Sequence, residues 1–256
     1  FEKGCKKENQ LSIGVEHEKF IFDNLTNQRA NFEAISKVFN FLEQFGWKPI
    51  KEKDCVIGLS REGQSITLEP GNQIELSGKK LNSVHFNCSE SYKYLAELRK
   101  ACKKLNLKMM SVSFDPFTKL ENVPQTPKQR YEIMTKEMPK DGKLSLHMMY
   151  QTCGTQINLD YISEKDFINK FKLSSFLVPI STAIFANSSI KDNKFSGYLS
   201  YRSKVWQNTS RAGLPKIFLE EMDFEKYVDI AINMPLLFVH KNSNYYETEG
   251  KTFKDF

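Results

Sequence analysis

Apolar residues recur along this chain at two spacings. In "NFEAISKVFNFLEQFG", residues 31–46, Phe32, Ile35, Val38, Phe39, Leu42 and Phe45 fall three or four apart, which predicts an amphipathic helix that Gly46 can stop. Residues 81–105 read as a longer helix with Leu81, Val84, Cys88, Leu95, Leu98, Cys102 and Leu105 on one face. "TPKQRYEIMTKEMP" predicts a short helix bounded by prolines, and "DFEKYVDIAINM" a later one packing Phe224, Tyr227, Val228 and Ile232. Ser163 followed by Asp166 resembles a capping box at the start of a further helix. Strand-like stretches separate these: "IGVEHEKFIF", "LKMMSVSFDP", "YQTCGTQINLDY", and two short strands around Pro70-Gly71-Asn72 in "SITLEPGNQIELSG". With no internal repeat and with both hairpin-like and crossover-length connections, the pattern predicts an α+β fold.

Residues two apart in a strand share a face, and that parity makes the strands unusual. Glu16 and Glu18 point one way and His17 the other. Glu69 and Glu75 are an even interval apart across their turn. Gln156, Asn158 and Asp160 line one face of their strand, with Ile157, Leu159 and Tyr161 on the other. Carboxylates converging without matching basic residues repel, and a hard cation relieves this, with oxygen ligands pointing to Mg²⁺ or Mn²⁺. The same rows also suit ordinary solvated sheet faces, and periodicity does not choose between the two.

Composition narrows the class. The 256 residues are 40% hydrophobic and 12% aromatic, enough for a core and against disorder. No apolar run reaches about 18 residues, so no membrane-spanning helix is expected. Five well-spaced cysteines form no CxxC pair, and Cys88 and Cys102 read as small buried thiols of the long helix. Such cysteine usage leads to the expectation of a reducing, cytoplasmic setting. The net charge of +6 favours anionic partners. Its lysine-rich stretches resemble solvated helix faces, so nucleic acid is not expected as a partner.

A second constellation is basic. "GYLSYRSKVWQNTSRAG" sets Arg202, Lys204 and Arg211 around Trp206, and Arg130 stands in "PKQRYEIM". Arginines beside aromatics suit two-point capture of a carboxylate or phosphate, although a surface patch with an aromatic anchor reads the same way. There is no GxxxxGK[ST] phosphate loop and no GxSxG, and none of the four histidines sits in a triad-like context.

In order and spacing, "IGVEHEKFIF", "ITLEPGNQIELSG", "PKQRYEIM", "TCGTQINLDY", "ANSS" and "GYLSYRSKVW" resemble the glutamate–cysteine ligases of the plant and proteobacterial type, over about residues 11–256. The resemblance implies a glutamine-synthetase-like fold, a curved, mainly antiparallel β-sheet funnel flanked by helices. It implies Mg²⁺ held by Glu16, Glu18, Glu69 and Glu75, and catalytic, substrate-binding arginines at Arg130 and Arg202 with Trp206 beside the substrate. Lys19, Gln156, Asn158 and Arg211 fall to the ATP side. The implied reaction joins the side-chain carboxylate of glutamate to the amine of cysteine through an acyl phosphate, with ATP as co-substrate. Two departures stand out: "WQNTSRAG" is shorter and less acidic than the family's stretch, and "PLLF" replaces the family's "PMYF". The chain opens at Phe1 without methionine, and family members continue past "GKTFKDF". The expectation is one catalytic domain over 1–256, shortened at its C-terminus. A ligase of the same fold with another amine acceptor, or an inactive fragment or binding module, remains open.

Overall fold

The longest strand, β1 (Ile13–Asp23), organises the sheet. The computed structural model describes residues 1–209, 218, 220–242 and 244–256. Helix α1 (Phe32–Leu42) starts at Asn31, whose side chain accepts the Ala34 N–H at 2.9 Å. A short 3-10 turn follows and ends at Gly46, whose φ of 87° is the left-handed conformation glycine tolerates. Four strands come next: β2 (Lys48–Glu52), β3 (Cys55–Arg61), β4 (Gln64–Leu68) and β5 (Ile74–Ser77). Then come α2 (Val84–Lys104), β6 (Leu107–Met110), α3 (Gln129–Glu137), α4 (Ser145–Gln151), β7 (Thr155–Leu159) and α5 (Glu164–Ile184). A small hairpin of β8 (Ile190–Lys191) and β9 (Lys194–Phe195) leads to α6 (Tyr201–Trp206). Beyond lie α7 (Phe224–Ile232) and the hairpin of β10 (Phe238–Lys241) and β11 (Asn244–Glu247).

The main sheet runs β2-β3-β4-β5-β1-β6, with β7 also on β1, and every pairing is antiparallel. The length of β1 lets β7 pair with Ile13–His17 while β6 pairs with Phe20–Asp23. The fold is therefore α+β, with a mainly antiparallel sheet flanked by helices.

One sheet face is apolar. Ile66, Leu68, Ile74 and Leu76 pack against Ile35, Val38, Phe39 and Leu42 of α1 and Leu98, Ala101 and Cys102 of α2. Burying each large aliphatic chain contributes about 1.5–3 kcal/mol before chain entropy is counted. At the margin of this core Trp47 Nε1 and Arg61 Nη1 both donate to the Glu97 carboxylate at 2.9 Å, so the buried charge is paired.

Several expectations are corrected here. Cys102 is buried, but Cys88 is exposed and Val84 is 67% exposed, because the first turns of α2 run past the core. Ile157 and Leu159 share a face of β7 as expected, and they are 63% and 53% exposed because β7 is an edge strand. The capping box of α5 is offset by one residue: Ser163 accepts the Asp166 N–H, while the Asp166 carboxylate accepts from Ile162 N–H. No residue of α5 is buried, and its uncharged stretch from Leu173 leaves Phe176 73% exposed. Among the described residues no helix is long and apolar enough to cross a membrane.

Candidate active site

The strand alternation that builds the core leaves the opposite face polar around Glu16 and Glu18, while Phe20 and Phe22 farther along β1 form a small apolar cluster. Across the strands, Glu16 lies opposite both Ser77 and Gln156, and Glu18 opposite Glu75. On the other face His17 lies opposite Leu76 and Lys19 opposite Ile74, which are core positions. The expected side-sharing of Glu16 and Glu18 is thus present, and His17 turns away to bond Ser91 Oγ at 2.8 Å.

Glu16, Glu18, Glu69 and Glu75 line one cavity of about 480 Å³, together with Gln156, Arg202 and Trp206. The turn after β4 carries Glu69 to it, and that turn is fixed from within. The Gln73 side chain accepts the Gly71 N–H at 2.8 Å and donates to the carbonyls of Met149 and Thr152. Gly71 passes so close to α4 that a β-carbon there would lie 2.6 Å from the Tyr150 carbonyl oxygen. Gln73 thereby joins the β4–β5 turn to the segment that feeds β7.

On the far wall stands α6. Ser200 accepts the Ser203 N–H at its start, and the Arg202 N–H donates to Ser188 Oγ of "ANSS" at 3.2 Å. The Arg202 guanidinium stacks over the Trp206 ring at 5.2 Å. Among the described residues neither Arg202 Nε nor Trp206 Nε1, both buried, has an acceptor, which leaves two donors toward a bound group. Gly154 joins the two walls. Its N–H donates to Glu18 Oε2 at 2.5 Å, and a β-carbon on it would sit 2.9 Å from Arg202 Nη2.

The electrostatics follow from crowding. Burial, then Glu69 and Glu75, push the Glu18 carboxyl up to about 7, against the opposing pull of the Gly154 N–H and Arg202. Glu69 is also raised, by burial and by Glu75, with Lys128 and Arg130 holding it down. Carboxylates crowded so that they resist ionisation attract a hard cation electrostatically, which is a matter of charge and not of a preformed ligand cluster. Among the described residues no group of three or more His, Cys, Asp or Glu side chains stands ready to hold a metal ion.

Of the residues singled out from sequence, Glu16, Glu18, Glu69, Glu75, Gln156, Arg202 and Trp206 come together at the cavity. Asn158 joins them through its neighbours, donating to Glu16 Oε1 at 3.0 Å and accepting from Gln156 Nε2 at 3.1 Å. Asp160, in the same row, is held instead by the backbone and hydroxyl of Ser12. Arg130 stacks on Tyr131 at 4.9 Å and faces Glu69 electrostatically. Lys19 is not brought to this cavity: strand parity turns it to the other face, and its Nζ bonds the Glu18 carbonyl at 2.8 Å. Arg211 lies outside the described residues. Sequence reasoning missed Gly154, Gln73 and the methionines 134, 148 and 149 that line the cavity. The glycine of "TCGT" and the glutamine of "LEPGNQIE" were the available signals.

Comparison with known proteins gives the family of the chain. The model of glutamate-cysteine ligase family 2 matches residues 12–254. Glutamate–cysteine ligase A, chloroplastic, of Oryza sativa subsp. japonica is 44% identical over 99% of this chain and 52% of its own length. The chloroplastic glutamate–cysteine ligases of Medicago truncatula and Arabidopsis thaliana are 42% and 40% identical, with 51% and 49% of their lengths covered. The chain thus spans about half the length of the curated relatives it matches. Their chloroplastic names overturn the expectation of a cytoplasmic setting, because unpaired thiols report reducing surroundings and not a compartment. With a family match over nearly its whole length and relatives at 40–44% identity, this chain belongs to glutamate-cysteine ligase family 2.

Proposed function

We propose that this chain carries the acid-substrate and cation side of a glutamate–cysteine ligase, which makes γ-glutamylcysteine, the first step of glutathione synthesis. The observation that carries the reading is the single cavity in which four glutamates from β1, β5 and the β4–β5 turn face Arg202 and Trp206. The names of its relatives support the acceptor and a plastid setting.

In this reading a glutamate side-chain oxygen attacks the γ-phosphorus of ATP, ADP leaves, and a γ-glutamyl phosphate forms. The cysteine amine then attacks the acyl carbon, phosphate leaves, and the amine loses a proton. Arg202 and Arg130 grip and neutralise the carboxylates of glutamate, and Arg202 offers an Nε–H that has no partner among the described residues, from its place on Trp206. Gln156 and Asn158 face the nucleotide as amide donors and acceptors. Met134, Met148 and Met149 wall the cavity with apolar surface, which keeps water from an acyl phosphate that hydrolyses readily. Glu16, Glu18, Glu69 and Glu75 would hold Mg²⁺, or Mn²⁺, which supplies charge neutralisation for the polyphosphate. No base for the cysteine amine is assigned. The same reading treats the sheet as part of a glutamine-synthetase-like funnel and residues 1–256 as part of one catalytic domain.

The test is product analysis by mass spectrometry with Mg-ATP, glutamate and cysteine, on this chain and on a full-length relative carrying its sequence over the matched region. γ-Glutamylcysteine that requires all three substrates is expected. Product with another amine but none with cysteine would move the reading to a different acceptor. Absence of any glutamyl product in the full-length protein would overturn it.

A further inference from the structure

The turn that carries Glu69 is gripped from outside by one stretch of chain, residues 126–131. Thr126 N–H donates to the Pro70 carbonyl at 2.8 Å, and Thr126 Oγ1 lies 2.5 Å from the Glu69 carbonyl oxygen. Lys128 Nζ donates to the Leu68 carbonyl at 2.6 Å. Tyr131 Oη donates to that same carbonyl at 2.9 Å and accepts from Arg130 Nη2 at 3.1 Å. One hydroxyl therefore touches both the arginine and the peptide that leads into Glu69. The Leu68 carbonyl and the Glu69 nitrogen share one rigid plane, so a bond to that oxygen sets the direction from which the Glu69 side chain leaves the backbone. The Tyr131 ring is 4% exposed and packed in a cluster with Val123, Met138, Met149 and Tyr150. Its hydroxyl is thus held by the core and does not swing freely.

From this geometry we infer that the Tyr131 hydroxyl is a positioning group that couples Arg130 to Glu69. Filling the arginine side of the site with a carboxylate substrate then favours filling the carboxylate side with a divalent cation, and the reverse. The inference rests on the proposed roles of Arg130 and Glu69. A carboxylate on Arg130 holds the guanidinium against the shared hydroxyl and so steadies the Leu68–Glu69 plane, and a cation on Glu69 fixes the same plane from the other end. Coupling of this kind is reciprocal.

The experiment measures Mg²⁺ binding by calorimetry, with and without saturating L-glutamate, on the full-length protein. In the wild type, glutamate is expected to tighten Mg²⁺ binding by about five- to tenfold, within the usual range of such couplings. In Tyr131→Phe, which keeps the ring and its packing, the factor should fall to within about twofold of unity while circular dichroism is unchanged. Thr126→Val frees the Glu69 carbonyl while leaving Tyr131 in place, and it should weaken the factor as well. A Tyr131→Phe protein with the full wild-type factor overturns the inference, and so does a Thr126→Val protein with the full factor if Tyr131→Phe does not fold. A wild type that binds both ligands independently overturns the coupling and leaves the ligase reading standing. A wild type that binds neither ligand overturns both.

Discussion

Glu18 on β1 and Glu75 on β5 lie directly opposite each other on neighbouring antiparallel strands, on the face that looks into the cavity. Like charges in that position destabilise a sheet. Ser77 Oγ and Thr67 Oγ1 donate to Glu75 at 2.9 Å and 3.4 Å, and Gly154 N–H donates to Glu18. The Glu18 carboxyl is nonetheless raised, first by burial, then by Glu69 and to a lesser degree by Glu75.

The burial and crowding of Glu18 set a pH dependence. The Glu18 carboxyl titrates from 4.5 in the unfolded chain up to about 7 in the folded one. Between those values the folded state binds the extra proton, so stability falls as pH rises through this window. The full cost, on the order of 3 kcal/mol, is present above pH 7. In EDTA, Glu18→Gln should therefore gain on the wild type in urea unfolding as pH goes from 5 to 8. A difference between the two that stays constant with pH would count against this assignment.

Replacing a single cavity carboxylate should separate activity from folding. Glu16→Gln or Glu69→Gln is expected to lower Mg²⁺-dependent turnover of the full-length protein at least about a hundredfold, the scale of losing a positioned charge in phosphoryl transfer. Circular dichroism and the unfolding midpoint should remain close to wild type. Unchanged turnover in either variant would remove that residue from the cation site.

Arg202→Lys tests a two-point grip. Lysine keeps the charge but has neither the Nε–H nor the flat surface that lies on Trp206. The KM for glutamate should rise about tenfold or more, a loss of over 1.4 kcal/mol, while the KM for ATP moves little. Parallel losses for both substrates would argue against a glutamate-specific role.

Gly154→Ala makes a sharper demand. The added methyl would meet the movable end of Arg202 rather than backbone, with the β-carbon 2.9 Å from Nη2. Folding should survive with a change of under about 1 kcal/mol, while glutamate binding weakens as Arg202 is displaced from Glu18. Calorimetric titration of glutamate checks it, and an unchanged affinity would show that Arg202 has room to move aside.

How much of this was legible beforehand depends on the range of the interactions involved. The sequence by itself determined the periodic part. Apolar positions three and four apart specify α1 and most of α2, and parity alone puts Glu16 and Glu18 on one face and Lys19 on the other. That rule already argued against Lys19 at the cavity. Only the tertiary structure decided what those faces meet. Cys88 and Cys102 follow the same helical pattern, yet the core ends between them. Glu18 opposite Glu75, Gly154 bonded to Glu18 across 136 positions, and Tyr131 bonded to the Leu68 carbonyl across 63 join residues from different parts of the chain. Local periodicity comes from backbone geometry, which each residue carries with it. Which side chains share a cavity depends on strand register and on turns held by buried hydrogen bonds such as those of Gln73, and these exist only once the whole chain has packed.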